Sequence, residues 1–276
     1  MKISNSSHLI ATFIITIACK NFTRNWEAAC SYLSQTVGSL LNSEDLRFAV
    51  VIVGHESPEE WLPLDERIHF LSLDRPPPAQ ESKNTATIAD DCLSKLKLGL
   101  QYAKEKLPSD YLMRMDADDF LSRKIVGFLA RNKDVPGFRI SNGWIWNSGD
   151  QKLIQKTEKF DWLCGSSIIL RSDIAEKQFS IDQICTQIPD IVVKAEQGLK
   201  RSLITNEIHA SAGKAMALHG LEIARVPFAG GVYRVGHVNN MTQRSTKQIH
   251  SLRFLLGRLR RLRLLTNSLR KEFALY

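Results

Sequence analysis

Through the first 120 residues, short continuous apolar runs alternate with longer stretches in which apolar residues recur every three or four positions. The first kind suits strands buried on both faces, and the second suits helices packed along one face. Leu9 to Ile17 reads as a strand, Trp26 to Leu41 as a helix capped by Asn25, Phe48 to Val53 as a second strand and Arg67 to Leu73 as a third. Pro76-Pro77-Pro78 then enforces an extended loop, because each ring fixes φ and removes a donor. Ala86 to Leu107 is a long helix with Ile88, Leu96, Leu100 and Ala103 among its apolar positions, and Tyr111 to Met115 is a fourth strand. The alternation predicts an α/β fold, a mostly parallel central sheet flanked by helices.

The second half is less regular. Gly137 to Trp146, Ser166 to Leu170 and Gly230 to Val235 read as strands, and Ile188 to Leu203 as a helix. No internal repeat interrupts the chain, and the one boundary drawn is near Gln243, dividing a main domain (1–243) from a basic tail (244–276).

Charge sharpens that division. Lys and Arg number 37 against 29 Asp and Glu, a formal charge of +8. Nine of the basic residues and only Glu272 lie from Arg244 onward, so the tail alone carries 9 minus 1, or +8, and residues 1–243 are neutral overall. Leu252, Leu255, Leu256, Leu259 and Leu262 follow the spacing of one helix face, with Arg253, Arg260 and Arg261 opposite, which predicts an imperfect amphipathic helix. Such a helix either lies on an anionic membrane surface or packs on its own domain with its arginines in solvent. Nucleic acid is not the expected partner, because no aromatic platform accompanies the arginines.

Five cysteines, at 19, 30, 92, 164 and 185, form no C-x-x-C pair, which argues against a disulfide framework or zinc knuckle and for a reducing, cytoplasmic setting. The run Leu9 to Ala18 is about half a membrane span and ends in Cys19-Lys20-Asn21-Phe22 without a small-residue cleavage pattern, so a buried strand is expected rather than a signal-peptide core.

The chemistry is concentrated where the fourth strand ends, in Met115-Asp116-Ala117-Asp118-Asp119. Two carboxylates at i and i+2 leaving a strand suit one hard cation, with Asp119 a third nearby. Mg²⁺ or Mn²⁺ held there keeps open positions that diphosphate oxygens fill, and it stabilises charge on a departing nucleoside diphosphate. Active sites of open α/β sheets form beyond the carboxyl ends of their strands, where this cluster stands. An EF-hand is excluded: the loop glycine is replaced by Leu121, and Gly127 stands where the terminal Glu belongs.

With these elements in order, the chain resembles the nucleotide-diphospho-sugar transferases of the glycosyltransferase A-type fold, particularly the bacterial class close to family 2. The resembling parts are Phe13-Ile14-Ile15-Thr16 with Arg24-Asn25-Trp26, the strand Phe48 to Val53, and Tyr111 to Asp119 closed by Leu121-Ser122. Gly165-Ser166-Ser167 and the run Pro227 to His237 follow. The resemblance implies a metal-dependent transfer of a sugar, a hexose by expectation, from a nucleoside-diphosphate donor to a hydroxyl of a saccharide or lipid-linked acceptor. It makes Asp116 and Asp118 the metal ligands, with His237 completing the shell. Lys20, Arg24 and Lys95 become candidates for the nucleotide or its phosphates, where cations complement the charge. Many relatives end the second strand in an Asp that helps hold the base; here Gly54-His55-Glu56 stands instead, and Glu56 is the candidate substitute. A general base for the acceptor hydroxyl is expected among Asp182, Asp190 and His209, with Glu196 also in that region. A cytoplasmic enzyme at the inner face of the membrane fits the basic tail. Trp144 and Trp146 either stack on acceptor sugars or belong to the core.

Three other classes compete. A haloacid-dehalogenase-like phosphatase also carries D-x-D after a strand, but after its first strand and with Thr or Val where Phe120 stands. A nucleotidyltransferase requires a Gly-rich loop after the first strand, and Cys19 to Thr23 contains no glycine. A non-catalytic membrane-associated protein would keep only a relic of the site.

Overall fold

The computed structural model describes residues 8–78, 85–177, 222–239 and 260–276. Two sheets carry the architecture. The larger has seven strands in the order β10-β6-β9-β4-β1-β2-β3: β1 (Leu9–Thr16), β2 (Phe48–Gly54), β3 (Ile68–Ser72), β4 (Ser109–Asp116), β6 (Gly137–Arg139), β9 (Ile168–Arg171) and β10 (Ala224–Arg225). The four strands from β3 to β4 are mutually parallel, whereas β9 runs antiparallel to both β4 and β6. The expected parallel sheet is therefore the heart of a mixed one.

Helices α1 (Trp26–Leu41), α2 (Thr85–Lys106) and α3 (Ile125–Ala130) cover its faces, and the short α5 (Ser172–Lys177) follows β9. Helix α1 begins at the expected residue because the Asn25 side chain accepts a 2.9 Å hydrogen bond from the Ala28 N–H, satisfying one of the amides a helix start leaves without a partner. Alternation along the strands divides the interior. Phe13, Ile15, Val50, Ile52, Met113 and Met115 meet Leu33, Val37 and Leu129 on one face, and Ile14, Val51 and Val53 meet Leu96 and Ala103 of α2 on the other. At about 1.5–3 kcal/mol for each large apolar side chain fully buried, these two layers dominate the stability of the sheet. Strands β2 and β3 are each preceded by the same device, a carboxylate gripping an arginine two residues on: Asp45 with Arg47 at 2.7 Å and Asp65 with Arg67 at 2.6 Å.

The smaller sheet was not expected. Its order is β12-β8-β7-β11-β5, from β5 (Phe120–Leu121), β7 (Gly143–Asn147), β8 (Leu153–Thr157), β11 (Gly231–Val235) and β12 (Leu262–Leu264). The single strand expected over Gly137 to Trp146 is thereby split between the sheets. The chain changes sheet at Ser141 and Asn142, where the Ile140 N–H bonds to Ser167 O at 2.8 Å and the Asn142 carbonyl accepts from the Gly230 N–H at 3.0 Å. Gly143 and Gly231 face each other in register between β7 and β11, and the ring of Phe160, from the short helix α4 (Phe160–Leu163), occupies the notch they leave. A Cβ on Gly231 would fall 2.7 Å from the Phe160 ring.

The tail also differs from expectation. Of the predicted amphipathic helix, Leu252 to Leu259 lie outside the described residues, while Leu262–Leu264 form β12, antiparallel to β8. The helix α6 (Asn267–Phe273) follows, and Leu265, Phe273 and Leu275 are buried with Phe120, Trp146, Ile154 and Val232. Lys124 pairs with Glu272 at 2.8 Å, and the Arg123 N–H donates to Glu272 O at 3.1 Å. Apolar burial and strand pairing thus draw residues 262–275 onto the main body, with Arg260, Arg261 and Arg263 left exposed. The helix expected over Ile188 to Leu203 and the boundary near Gln243 lie outside the described residues. Among the described residues, no helix is long and apolar enough to cross a membrane.

Candidate active site

The acidic turn is the junction of the two sheets. β4 ends at Asp116, and β5 begins four residues later and pairs antiparallel with β11, Phe120 opposite Val232 and Leu121 opposite Gly231. That register runs β11 back alongside the turn. Gly236 then takes a left-handed φ of +79°, which a side chain there would strain, and the chain folds His237 onto the acidic residues.

The three aspartates have different roles. Asp118 is partly exposed, and its Oδ2 lies 2.8 Å from Nε2 of His237, whose side chain is only 1% accessible. The approach is close, yet its angles do not make a hydrogen bond, and both ring nitrogens of His237 are buried without a hydrogen-bond partner. The ring packs against Tyr32 of α1 at 4.6 Å between centroids. A buried imidazole with unsatisfied nitrogens is costly in an apolar setting, and a cation shared with Asp118 would give Nε2 a partner. On that ground this pair fits a hard divalent metal.

Asp116 faces elsewhere. Its Oδ1 accepts from Arg114 Nη2 at 2.5 Å, and its backbone N–H donates to Ser166 Oγ at 2.8 Å. Among the described residues, no three His, Cys, Asp or Glu side chains converge as a metal centre requires. The expected trio of Asp116, Asp118 and His237 is therefore present only as the pair Asp118 and His237, because strand alternation puts Asp116 on the same face of β4 as Arg114.

Asp119, expected as a third carboxylate near the cation, points inward and is fully buried. Its Oδ2 accepts from Ser166 Oγ at 2.6 Å and from Cys164 Sγ at 2.9 Å, so it ties the turn to the segment leading into β9. Burial pushes its carboxyl well above the usual range, and the charges of Asp118 and Asp116 push it further. Burial likewise raises the Cys164 thiol, with Asp119 and Asp116 adding to it.

Beneath the turn, Arg234 is 1% exposed and its guanidinium is stacked among Phe120, Tyr32 and Trp146 at 4.5, 4.7 and 5.3 Å. It donates to Gln35 Oε1 at 2.7 Å. Burial lowers its pKa to about 10, against the pull of Asp118, Tyr32 and Asp119. Sequence reasoning did not single out Arg234, Arg114, Ser166 or Cys164. For Arg114 the signal was its spacing of two from Asp116 on a strand, and Ser166 and Arg234 lay within the resembling segments Gly165-Ser166-Ser167 and Pro227 to His237.

The remaining candidates cluster at the carboxyl ends of β1 and β2. Lys20 and Arg24 are exposed on the loop after β1. Glu56 Oε2 accepts from the Lys20 N–H at 3.1 Å, joining that loop to the end of β2. Asn239 Oδ1 accepts from the Arg24 and Asn25 N–H groups at 3.0 and 3.2 Å, which fastens the loop to the segment after His237. An open cleft of about 510 Å³ lies here, lined by Lys20, Asn25, Trp26, Glu27, Glu60 and Trp61. Lys95 is placed differently: it is buried, with its ammonium on Asp91 at 2.6 Å and on the Ile17 carbonyl at 3.0 Å. Asp91 in turn holds His55 Nε2 at 2.7 Å. α2 packs this face of the helix onto β1, so the charge of Lys95 is matched internally. Trp146 is a core residue and Trp144 packs against the same cluster, which resolves the two tryptophans in favour of the core. Asp182, Asp190, Glu196 and His209 lie outside the described residues.

No protein-family model matches the sequence, and no curated relative does. Solved structures similar to it include Staphylococcus aureus TarS 1-349, at 9% identity and a TM-score of 0.44 over 82% of this chain and 60% of that one. Another is the glycosyltransferase GlyE of Streptococcus pneumoniae TIGR4, at 9% identity and 0.39 over 80% of this chain and 46% of that one. A third is the 4-diphosphocytidyl-2C-methyl-D-erythritol synthase of Anaerococcus prevotii DSM 20548, at 10% identity and 0.38 over 92% and 97% of the two chains. The chain thus spans 60% of the TarS fragment and under half of GlyE. The strand order and pairing of the chain itself define a mixed α/β protein of two sheets flanked by helices.

Proposed function

We propose that this protein is a metal-dependent glycosyltransferase that moves a sugar, a hexose in the finer reading, from a nucleoside-diphosphate donor to a hydroxyl of a saccharide or lipid-linked acceptor. The observation that carries the reading is the pairing of Asp118, beyond the carboxyl end of a central parallel strand, with the buried, unsatisfied imidazole of His237. A two-donor site of this kind suits Mg²⁺ or Mn²⁺, which take one or two protein ligands and fill the remaining positions with water and phosphate oxygens.

Asp118 and His237 hold the cation, and Asp116 joins them when it leaves Arg114. The bound metal supplies charge stabilisation to the departing diphosphate. Lys20 and Arg24, exposed beside the cleft on the loop after β1, bind the nucleotide or its phosphates, and Glu56 orients the base from the end of β2. Asp119, with Ser166 and Cys164, keeps the turn in shape by tying it to the start of β9. The acceptor hydroxyl loses its proton to a base among Asp182, Asp190 and His209. In the same reading the protein works in the cytoplasm, and its exposed tail arginines rest on an anionic membrane surface at the inner face. That placement brings a lipid-linked acceptor within reach.

Thermal-shift titration of nucleoside diphosphates and their sugars, with and without Mn²⁺, tests this on the wild type and on the Asp116→Ala, Asp118→Ala double variant. A ligand that binds only the folded state raises the melting temperature. The expected result is stabilisation by one base class that requires both metal and aspartates; no shift with any nucleotide would remove the donor site.

A further inference from the structure

We propose that Arg114 is a positioning residue that keeps Asp116 off the metal until a nucleoside diphosphate arrives, so that the cation enters with the diphosphate rather than ahead of it. The inference rests on the glycosyltransferase reading above and adds an order of binding to it.

Three observations carry it. Along β4, Met113 and Met115 face the core while Leu112, Arg114 and Asp116 share the opposite face, so the guanidinium reaches its carboxylate along the strand and meets Oδ1 at 2.5 Å. The Asp116 backbone is held separately, its N–H on Ser166. Moving the carboxylate toward Asp118 and His237 would break the ion pair, while the Ser166 hydrogen bond holds the main chain.

The second observation is charge balance. Two guanidiniums sit among the three aspartates, Arg114 in contact with Asp116 and buried Arg234 close enough to act on Asp118 and Asp119. A divalent cation arriving alone meets carboxylates whose charge is already partly offset, and it must be desolvated there for a reduced return. A diphosphate brings negative charge of its own, and the planar fork of Arg114 suits phosphate oxygens as well as it suits a carboxylate.

The third is accessibility. The side chains of Arg114 and Asp116 are 35% and 36% exposed, and ion pairs that open to solvent exchange partners at small cost. His237, in contrast, is buried and its ring already packed on Tyr32, so it waits in place while Asp116 moves.

Free Mn²⁺ counted by electron paramagnetic resonance tests the order. Wild type, Arg114→Gln and Arg114→Lys are titrated with Mn²⁺ alone and with UDP, GDP, CDP or ADP present. Wild type is expected to bind Mn²⁺ alone weakly and about tenfold more tightly with one of the diphosphates, within the usual range of coupling between two ligands. Arg114→Gln should bind Mn²⁺ alone about tenfold more tightly than wild type and gain less from the diphosphate; Arg114→Lys, which keeps the charge without the fork, should hold Mn²⁺ alone near the weak wild-type affinity. A merely structural role for Arg114 would lower metal affinity on removal rather than raise it. Equal Mn²⁺ affinity of wild type with and without every diphosphate overturns the order of binding without the variants. If Arg114→Gln matches wild type for Mn²⁺ alone while the diphosphate effect persists, Arg114 is not the latch and the glycosyltransferase reading stands. If no protein binds Mn²⁺ under any condition, that reading falls and this inference with it.

Discussion

The two sheets are built from different kinds of chain. In the larger, β1 to β4 come in sequence from Leu9 to Asp116, β1 and β2 as continuous apolar runs, and they lie side by side in the order β3-β2-β1-β4. In the smaller, strands of two to five residues are drawn from Phe120 to Leu264, and neighbours such as β11 and β5 are more than a hundred residues apart. The interiors differ accordingly. Ile, Val and Phe fill the first, whereas the second gathers aromatic rings around the buried guanidinium of Arg234. The acidic turn sits where one sheet hands the chain to the other, so the site draws its carboxylates from the locally encoded sheet and its histidine from the remotely assembled one.

The largest test of that contrast is stability. Phe13→Ala in β1 and Phe273→Ala in α6 each remove a fully buried ring, and each should cost about 3–5 kcal/mol in denaturant unfolding. If the sheets share one cooperative unit, both variants shift a single transition; a second transition moved only by Phe273→Ala would separate them. Next in size is the shared site. His237→Ala should melt close to wild type without ligand yet lose the metal-dependent nucleotide stabilisation, about 2.7 kcal/mol at a hundredfold excess over Kd. Retention of that stabilisation would take the second sheet out of the site.

Gly236→Ala probes the same connection more gently. The left-handed φ and the Asn147 side chain beside it both resist a Cβ, so a cost of about 1–2 kcal/mol is expected, together with weaker Mn²⁺ binding as His237 shifts. Calorimetry with a Mn²⁺ titration distinguishes this from loss of stability alone. The smallest effect belongs to the first sheet only. The hydrogen bonds of Arg67 hold the Asp65 carboxyl below its ordinary 3.8. A group whose folded pKa is depressed adds stability above the unfolded value and loses it as pH falls through the folded one. Asp65→Asn should therefore cost under about 1 kcal/mol at neutral pH, match wild type once both are acidified below that range, and leave Mn²⁺ affinity unchanged. A difference that persists at low pH would assign the effect to packing.

Much of the larger sheet was legible in the residues. The limits of α1 matched to the residue, because the Asn25 cap and the apolar period are both local signals. The first four strands were off by no more than two residues at either end. The failures share a cause. Phe120-Leu121 is too short to show a period, and the run from Gly137 to Trp146 gives no sign that Ser141 and Asn142 carry the chain from one sheet to the other. The tail leucines fit a helix face by spacing, yet Leu262–Leu264 pair with β8 because an open strand edge there supplies hydrogen bonds that spacing cannot register.

By itself, the sequence determined the parallel heart of the fold and the position of an acidic turn at its carboxyl edge, since both follow from contiguous residues and from the rule that sites form where such strands end. Only the tertiary structure decided which carboxylate faces which partner. Asp118 meets His237, Asp116 meets Arg114 and Asp119 turns inward to Ser166 and Cys164. The first and last of these depend on chain segments brought from far along the sequence by sheet pairing and burial. The pairing of Asp116 with Arg114 is local, set by their spacing of two along one strand, but that it stands apart from Asp118 and His237 is seen only in the assembled site.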